Sequence, residues 1–272
     1  MYKRPSVMGI LNLTPDSFSD GGKIKSVNAA VKLATKMVND GADIIDIGGE
    51  STRPGAKPVS LKDEMERTIP LIKKLSESWK RKKIKAQISI DTRKSKVAEA
   101  AIKAGAHIWN DVSALTYNED SVDMAVKLDC PVILMHAQGP PETMQNDPAY
   151  ENVIDEIKLS LSTRVAVAVS SGVKMENIII DPGIGFGKRL EDNLRILREL
   201  AAFKDMGCDL LLGASRKSYI AKIDPSDVEE RLGGSLATAI WGSQQGADIL
   251  RVHDVQETVQ ALKVWEAIKY DG

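Results

Sequence analysis

The chain has 272 residues and a net charge of −1, and 28% of its residues are charged. This balance excludes a global electrostatic field that would attract nucleic acid or an anionic membrane, so any anion must bind at a local cluster. No apolar run reaches the roughly 18 residues that a membrane span needs, and residues 1–5 are too short and polar for a signal peptide. We therefore predict a cytoplasmic protein in which residues 1–272 form a single domain.

The two cysteines agree with a reducing compartment. Cys130 and Cys208 each come just before a predicted strand, where a thiol is usually buried. We expect two free, buried thiols; a disulfide or a catalytic thiol is the alternative.

Eight short apolar runs recur along the chain, and each ends in polar residues or glycine. In chain order they span residues 6–10, 44–47, 86–90, 107–109, 131–135, 178–180, 210–212 and 249–250. Amphipathic helical patterns separate most of them, and the pattern at residues 61–79 has Ser60 in place to cap its first turn. Eight strands that alternate with helices predict an α/β fold of the (β/α)8 type, the TIM barrel. Because the carboxyl ends of all strands meet on one face of such a barrel, the polar residues that end them should converge on one site.

A short repeat supports this architecture. The pattern Gly-Ala-X-Ile occurs at residues 41–44, 105–108 and 246–249, with a looser copy, Gly-Cys-Asp-Leu, at residues 207–210. Each glycine is expected to end the preceding helix in a left-handed conformation and to lead into a strand. His107 then lies at the amino-terminal end of its strand, and we expect it to be structural.

Three polar side chains end separate strands. Asp91, Asn110 and Asp181 each follow an apolar run, and Lys217 follows a fourth run. One such Asp could simply cap the next helix, but four groups together favour a binding site. Carboxylates, a carboxamide and an ammonium suit a flat, neutral heterocycle with amino and keto groups, because each misplaced hydrogen bond would leave a buried polar group unpaired.

An anion site is predicted at the exit of the last strand. Arg251 and His253 are two residues apart and therefore on the same side of an extended chain. Loops around strands seven and eight commonly bind phosphate in barrels, and Ser215 and Arg216 would add donors there. The alternative is that Arg251 pairs with a core carboxylate such as Asp254.

The metal prediction rests on oxygen ligands. The three histidines show no zinc spacing, whereas Asn12 and Asp20 would suit Mg²⁺ held partly by substrate phosphates.

Residues 183–188 contain three glycines, but they lack the ending of a phosphate-binding P-loop and follow an Asp-Pro pair. We interpret them as a tight loop that brings backbone and Phe186 close to a planar ligand.

These elements together resemble the dihydropteroate synthase family. The segments that carry the resemblance are MGILNLTPDSFSDGG (8–22), GESTRPGA (49–56), IDT (90–92), NDV (110–112), MHAQG (135–139), DPGIGFGK (181–188), SRKS (215–218) and RVHDV (251–255). They follow the family order over nearly the whole chain. Two departures are visible: Ala137 stands where many members have a second Met after the His, and Arg93-Lys94-Ser95 replaces a small residue and a Pro after Asp91-Thr92.

The resemblance implies a Mg²⁺-dependent transferase of folate synthesis and a target of sulfonamides. Members join 6-hydroxymethyl-7,8-dihydropterin diphosphate to 4-aminobenzoate and release diphosphate, and they are usually homodimers. The residues implied for the pterin are Asp91, Asn110, Asp181 and Lys217, with Met135, Phe186 and Gly213 against its faces. Those implied for the diphosphate and metal are Asn12, Thr52, Arg251 and His253, with Asp20. Those implied for the aminobenzoate are Phe18, Thr52, Arg53, Pro54, Phe186 and Ser218.

The catalytic set implied is Asp91, Asp181, Lys217, Arg251 and His253. Two other functions use related barrels. A pterin-binding corrinoid methyltransferase shares the pterin residues but has no need of the anion site, and an inactive pterin-binding barrel would not need to keep the full set.

Two connections on the carboxyl face, residues 12–22 and 48–58, are rich in turn formers. They offer little apolar surface, so we expect substrate loops that order only when diphosphate and Mg²⁺ bind. Pterin diphosphate should then bind before the arylamine. A sulfonamide titrated into enzyme alone should bind much more weakly than into enzyme with pterin and diphosphate; equal affinity in both would refute this order.

Overall fold

A computed structural model describes residues 4–13, 26–51, 56, 58–139 and 143–269. Eight parallel strands close into a barrel in chain order, because β1 pairs with both β2 and β8. The strands are β1 (Ser6–Asn12), β2 (Ile44–Gly48), β3 (Gln87–Asp91), β4 (Ile108–Asp111), β5 (Val132–Met135), β6 (Ile178–Asp181), β7 (Asp209–Leu212) and β8 (Ile249–Val252). The predicted (β/α)8 barrel is confirmed.

Helices connect the strands around the outside of the barrel. They are α1 (Val27–Asn39), α2 (Leu61–Lys82), α3 (Ser95–Ala104), α4 (Ser121–Leu128), α5 (Val153–Ser171), α6 (Leu190–Arg198), α7 (Ser218–Ile223), α8 (Leu232–Gln244) and α9 (Val255–Lys269). The predicted cap of α2 is confirmed, since the Ser60 hydroxyl accepts the Asp63 amide at 3.1 Å. Apolar residues of α2 such as Leu71 and Leu75 are fully buried against the strands.

Two predicted strand ends are confirmed, since Asp91 and Asp181 are the last residues of β3 and β6, whereas β4 continues one residue beyond Asn110. Asn12, expected just after its strand, is the last residue of β1. These residues belong to the hydrogen-bonded ladder, where Gly48 pairs with Asn12 on one side and Asp91 on the other. These side chains therefore stand on the hydrogen-bonded sheet and not on its loops.

The barrel interior is divided into an apolar floor and a polar layer above it. The floor is one buried cluster with members from seven strands: Met8, Ile44, Ile108, Ile133, Ile179, Leu211 and Ile249. Successive side chains of a strand point to opposite faces, so the residue two positions later points inward again, one layer nearer the carboxyl end. Above Ile44, Ile108, Ile179 and Ile249 this rule places Asp46, Asn110, Asp181 and Arg251.

The Gly-Ala-X-Ile repeat closes the opposite, amino-terminal face. Gly105 has φ +110°, as the predicted left-handed cap requires, and a Cβ there would lie 2.1 Å from the Ser76 hydroxyl. The third residue of each repeat accepts a backbone N–H near the start of the strand before it: Asp43 from Val7 at 2.9 Å, His107 from Ile88 at 3.1 Å and Asp248 from Leu210 at 2.7 Å. His107 is structural, as expected, and burial lowers its pKa.

Cys208 is buried and Cys130 is partly buried, and both are free thiols, as predicted. Within the residues that the structure describes, no helix is long and apolar enough to span a membrane.

The repeat generates a stability prediction. Asp248→Ala removes the acceptor of the Leu210 amide, so we expect the free energy of unfolding to fall by about 1 kcal/mol. The ion pair with Lys204 adds little because both side chains are partly exposed. Asp248→Asn keeps an acceptor oxygen and should lose less. Urea denaturation measures both, and an Asp248→Ala variant as stable as the parent would contradict the assignment.

Candidate active site

Arg251 holds together the polar layer of the barrel mouth. Its Nε donates to Asp46 Oδ2 at 2.6 Å, and its Nη2 donates to Asp91 Oδ2 at 2.7 Å. The Asn110 amide donates to the same Asp46 oxygen at 3.0 Å. β2, β3, β4 and β8 are thereby connected through side chains as well as through their backbone. The prediction that Asp91 and Asn110 converge in the mouth is confirmed.

Asp46 is the residue that the sequence reasoning missed. It is fully buried, and its second oxygen, Oδ1, has no hydrogen-bond partner among the described residues. Its position inside the apolar run 44–47 concealed it, because the sequence analysis considered only residues that end a strand. The period-two rule applied from Ile44 would have found it.

The acids that pair with Arg251 are not the one that the sequence suggested. Asp254, the carboxylate suggested as its partner, instead accepts from Arg216 Nε at 2.9 Å. Arg216, expected to contribute to an anion site, is therefore held by an acid on the rim. The idea that Arg251 pairs with a buried carboxylate is right, but its partners are Asp46 and Asp91.

Asp181 and Lys217 form the other side of the site. Asp181 Oδ1 accepts the Gly183 amide at 2.7 Å. The Lys217 ammonium donates to the Ile184 carbonyl and lies 4.6 Å from the centre of the Phe186 ring. The loops after β6 and β7 thus meet beside Asp181, as predicted.

Gly213 leaves room between these groups. A Cβ at this position would lie 3.8 Å from Asp181 Oδ2 and 3.8 Å from the Arg251 Cβ. The space above the glycine is therefore bordered by both charged groups. Met135, predicted to pack on the ligand, is the last residue of β5 and is paired in register with Asp181.

Burial controls the charges of the acids and of the lysine. Desolvation raises the pKa of Asp91 to about 7, although Arg251 acts to lower it and Asp46 adds to the rise. Desolvation also raises the pKa of Asp181, against the lowering effect of Lys217. Lys217 is affected in the opposite direction: burial lowers its pKa to about 8, while Asp181 opposes that change. Each ionised group therefore depends on its neighbours, and perturbed groups gathered in one cleft are typical of an active site.

The loop after β6 is the tight loop that the sequence predicts. A Cβ on Gly183 would lie 2.0 Å from the His136 carbonyl oxygen, so only glycine permits this approach to the end of β5. The buried Lys188 side chain, 1% exposed, connects the loop after β6 to the end of β5. Its ammonium contacts His136 Nδ1 at 2.9 Å and donates to the carbonyl oxygens of His136 at 3.3 Å and Phe186 at 2.9 Å. No sequence pattern predicts this contact between Lys188 and His136, which are 52 residues apart.

Asn12 stands at the exit of β1. Its side-chain oxygen would lie 3.3 Å from a Cβ on Gly48, and the Asp91 Cβ would lie 3.6 Å from that same point. Glycine at position 48 therefore lets the Asn12 and Asp91 side chains face each other across β2. The described residues contain no group of three or more His, Cys, Asp or Glu side chains arranged to hold a metal.

His253 follows β8 on the rim of the mouth. Its Nδ1 lies 3.1 Å from the Ser215 hydroxyl, which also accepts the His253 amide at 3.2 Å. Ser218 is exposed at the start of α7.

Five residues implied by the resemblance lie outside the described part of the chain: Phe18, Asp20, Thr52, Arg53 and Pro54. Residues 14–22 of the first predicted substrate loop, and residues 52–55 and 57 of the second, also lie outside it.

Comparisons with known proteins agree with this geometry. A family model described as "Pterin binding enzyme" matches residues 8–253. A dihydropteroate synthase of Synechocystis is 49% identical over 98% of this chain and 91% of its own length. The Yersinia pestis dihydropteroate synthase with a sulfonamide drug has a TM-score of 0.92 at 40% identity, over 98% of this chain and 94% of that one. The Xanthomonas albilineans enzyme with 4-aminobenzoic acid has a TM-score of 0.90 at 42% identity, with the same two coverages.

These matches run through both the apolar floor and the polar layer of the barrel, and they confirm the resemblance that the motifs indicate. The chain belongs to the pterin-binding enzyme family, among the dihydropteroate synthases.

Proposed function

We propose that this barrel joins 6-hydroxymethyl-7,8-dihydropterin diphosphate to 4-aminobenzoate, giving 7,8-dihydropteroate and diphosphate. One observation carries the proposal: Asp91, Asn110, Asp181 and Arg251 reach one inward-facing layer from four different strands, with Lys217 beside them. Such a layer offers acceptors and donors at fixed positions around one flat ligand. The 4-aminobenzoic acid bound to the Xanthomonas albilineans relative supports the second substrate.

The pterin would lie over the polar layer. Asp181, with one oxygen already held by the Gly183 amide, keeps its second oxygen to accept from the amino group and ring N–H of the heterocycle. Lys217 would donate to the ring keto group. Burial makes each of these bonds selective, because a ligand with its donors elsewhere would leave a buried carboxylate unpaired.

Departure of diphosphate breaks the bond between the exocyclic carbon and oxygen, and the electron pair leaves with oxygen. Negative charge then grows at the exit of β8, where Arg251 and His253 can stabilise it. A guanidinium has five N–H donors, and the two bonds to Asp46 and Asp91 leave others for an anion. Ionised Asp91 and Asp181 favour the positive charge left on the conjugated pterin.

We propose Mg²⁺ as the metal of this step. The Asn12 amide is an oxygen donor that suits a hard cation, and the diphosphate and Asp20 would supply other ligands. When bound, the ion neutralises charge on the leaving diphosphate.

The second half of the reaction forms the new carbon–nitrogen bond. The aminobenzoate nitrogen donates its lone pair to the exocyclic carbon and then loses one proton to solvent or to the released diphosphate. The attacking arylamine needs no strong base before it attacks, because its nitrogen becomes acidic once bonded. Holding the two substrates in line supplies much of the remaining rate enhancement.

An assay of diphosphate release, with Mg²⁺ present and with or without 4-aminobenzoate, separates this function from its rivals. The synthase should release diphosphate together with dihydropteroate when the arylamine is present. A corrinoid methyltransferase would do neither, and an inactive barrel would bind pterin without turnover.

We also propose a cytoplasmic homodimer. Two free thiols agree with a reducing compartment. Large apolar side chains remain exposed on the last three helices and the turn between α7 and α8, namely Ile223, Val228, Trp241, Val264 and Ile268. Exposed apolar surface on neighbouring helices suits a subunit contact.

Asp181→Ala should abolish pterin binding and leave a folded barrel, because the lost acceptor would leave ligand N–H groups unpaired. Calorimetry with 6-hydroxymethyl-7,8-dihydropterin measures the affinity, and circular dichroism checks the fold. Asp209→Ala is the matched control, since this exposed acid begins β7 on the opposite face. Pterin affinity of Asp181→Ala within about threefold of the parent, a difference below 1 kcal/mol, would show that the assignment is wrong.

The pKa shifts predict how pterin binding depends on pH. Asp91, with its pKa raised to about 7, loses its charge as the pH falls through that value. Lys217, with its pKa lowered to about 8, loses its charge as the pH rises through that value. Affinity should therefore be highest between these two values and decline on both sides.

The variant Lys217→Met identifies the alkaline limb of that profile. It should bind more weakly throughout and lose the decline above about pH 8, while keeping the acid limb that belongs to Asp91. An unchanged alkaline limb in this variant would exclude Lys217 as its source.

A further inference from the structure

The loop after β6 ends in a buried lysine that the mechanism above does not use. The Lys188 side chain is 1% exposed. Its ammonium has three N–H donors, and three acceptors surround it: His136 Nδ1 at 2.9 Å, the His136 carbonyl oxygen at 3.3 Å and the Phe186 carbonyl oxygen at 2.9 Å. All of its donors are therefore engaged within the protein, and Lys188 can affect a ligand only through the groups that it holds.

His136 connects this lysine to the ends of two strands. It follows β5 directly, and its amide donates to the Asp181 carbonyl oxygen at the end of β6 at 2.9 Å. Burial, together with the neighbouring Lys188 ammonium, lowers the pKa of the His136 ring to about 3. The ring is therefore neutral at physiological pH, and one of its nitrogens has a lone pair that accepts from the ammonium.

The contacts of Lys188 do not depend on its charge. Burial lowers its pKa to about 7, and Asp181 acts against that change. The neutral amine has two N–H donors for the two carbonyl oxygens. Its lone pair can accept from His136, because a neutral imidazole can carry its proton on Nδ1 instead. The same three contacts therefore fit both protonation states, and Lys188 can hold the loop across the pH range in which the pterin binds.

The backbone next to Phe186 is fixed as well. The Tyr150 hydroxyl donates to the Gly187 carbonyl at 2.8 Å. A Cβ on Gly187 would lie 2.4 Å from the Gln138 carbonyl oxygen, so the loop packs directly against the segment after β5. Lys188 adds a hydrogen bond to the Phe186 carbonyl between these contacts and the pterin site.

The Phe186 ring is the part of this loop that reaches the pterin site. The residue is half-buried, and the Lys217 ammonium lies 4.6 Å from the centre of its ring. Lys217 also donates to the Ile184 carbonyl, two residues before Phe186. A shift of the Phe186 carbonyl would move this ring, because both belong to one residue.

We propose that Lys188 is a positioning residue for the pterin, because it fixes the Phe186 carbonyl against the end of β5 and thereby holds the Phe186 ring in the pterin site. The inference rests on the proposed function, in which Asp181 and Lys217 bind the pterin and Phe186 packs against its face. Lys188 itself touches no substrate. It gives the ring one position before the ligand arrives, so that less freedom is lost when the pterin binds.

The test measures the Kd of 6-hydroxymethyl-7,8-dihydropterin by calorimetry for the parent, Lys188→Met and Lys188→Gln. Lys188→Met keeps an unbranched apolar side chain but leaves the three acceptors without a donor. Its Kd should rise about tenfold, which corresponds to about 1.4 kcal/mol. Lys188→Gln keeps two N–H donors and should fall between Lys188→Met and the parent. A Kd of Lys188→Met within about twofold of the parent would overturn the inference.

A double-mutant cycle with Phe186→Ala tests whether Lys188 acts through Phe186. The ring is already absent in Phe186→Ala, so the added Lys188→Met substitution should raise the Kd by about twofold or less. A residue of general stability would raise the Kd by the same factor with and without the ring, and that result would overturn the inference.

A matched control and a fold check keep the result interpretable. Lys174 lies four residues before β6, at the opposite end of that strand, and pairs with Asp129 on the surface at 2.6 Å. Lys174→Met should therefore leave the Kd within about twofold of the parent, and an equal rise in both Met variants would overturn the inference. Circular dichroism checks each fold. If Lys188→Met does not fold, Lys188→Gln takes its place in the Kd comparison and the cycle, with an expected rise of about fivefold and the same twofold limits.

Hydrogen exchange of the ligand-free protein gives a readout that does not depend on catalysis. The amides of residues 183–188, which include the Phe186 amide bonded to the Gly183 carbonyl at 3.1 Å, should exchange faster in Lys188→Gln than in the parent, while β1 and β2 stay protected. Unchanged exchange in this loop would overturn the inference. Failure of the parent to bind the pterin or to form dihydropteroate would overturn the proposed function instead, and the exchange result would still decide whether Lys188 fixes the loop.

Discussion

The ion pairs of Arg251 make the polar mouth of this barrel possible. Asp46, Asp91 and Asp181 are all buried within one small space, and carboxylates so placed repel one another and resist ionisation. Arg251 bonds to the first two directly, and Lys217 and Arg251 both lower the pKa of the third. Without the guanidinium the pKa values of Asp91 and Asp181 would rise further, and the layer would present fewer ionised acceptors to a ligand.

The same arrangement fits the role proposed for Arg251 at an anion. Two carboxylates hold the guanidinium plane, so the side chain would lose little freedom if diphosphate binds there as proposed. Preorganisation of this kind is where much of the catalytic power of an enzyme resides. The cost is visible in Asp46 Oδ1 and Ser89 Oγ, which are buried without a partner among the described residues and lie at paired positions of β2 and β3.

Stability and chemistry are separated along the barrel axis. On the amino-terminal face, Asp43, His107 and Asp248 accept backbone N–H groups and tie each strand to the one before it. The apolar floor lies between that face and the mouth. Polar residues at the carboxyl face can therefore be arranged for binding, because the apolar floor and the hydrogen bonds at the amino-terminal face already fix the strands that carry them.

The amino-acid sequence by itself determined the alternation of strands and helices, the barrel, the helix caps and the inward-facing Asp91, Asn110, Asp181, Lys217 and Arg251, because all of these follow from local periodicity and from the rule that parallel strands end on one face. It did not determine which acid pairs with which base. Asp46 and Arg251 are 205 residues apart, and Asp91 and Arg251 are 160 apart, so only closure of the barrel brings them within hydrogen-bonding distance. The same holds for Asp254, which pairs with Arg216 instead of Arg251, since burial and distance, which no sequence pattern encodes, decide the energy of each ion pair.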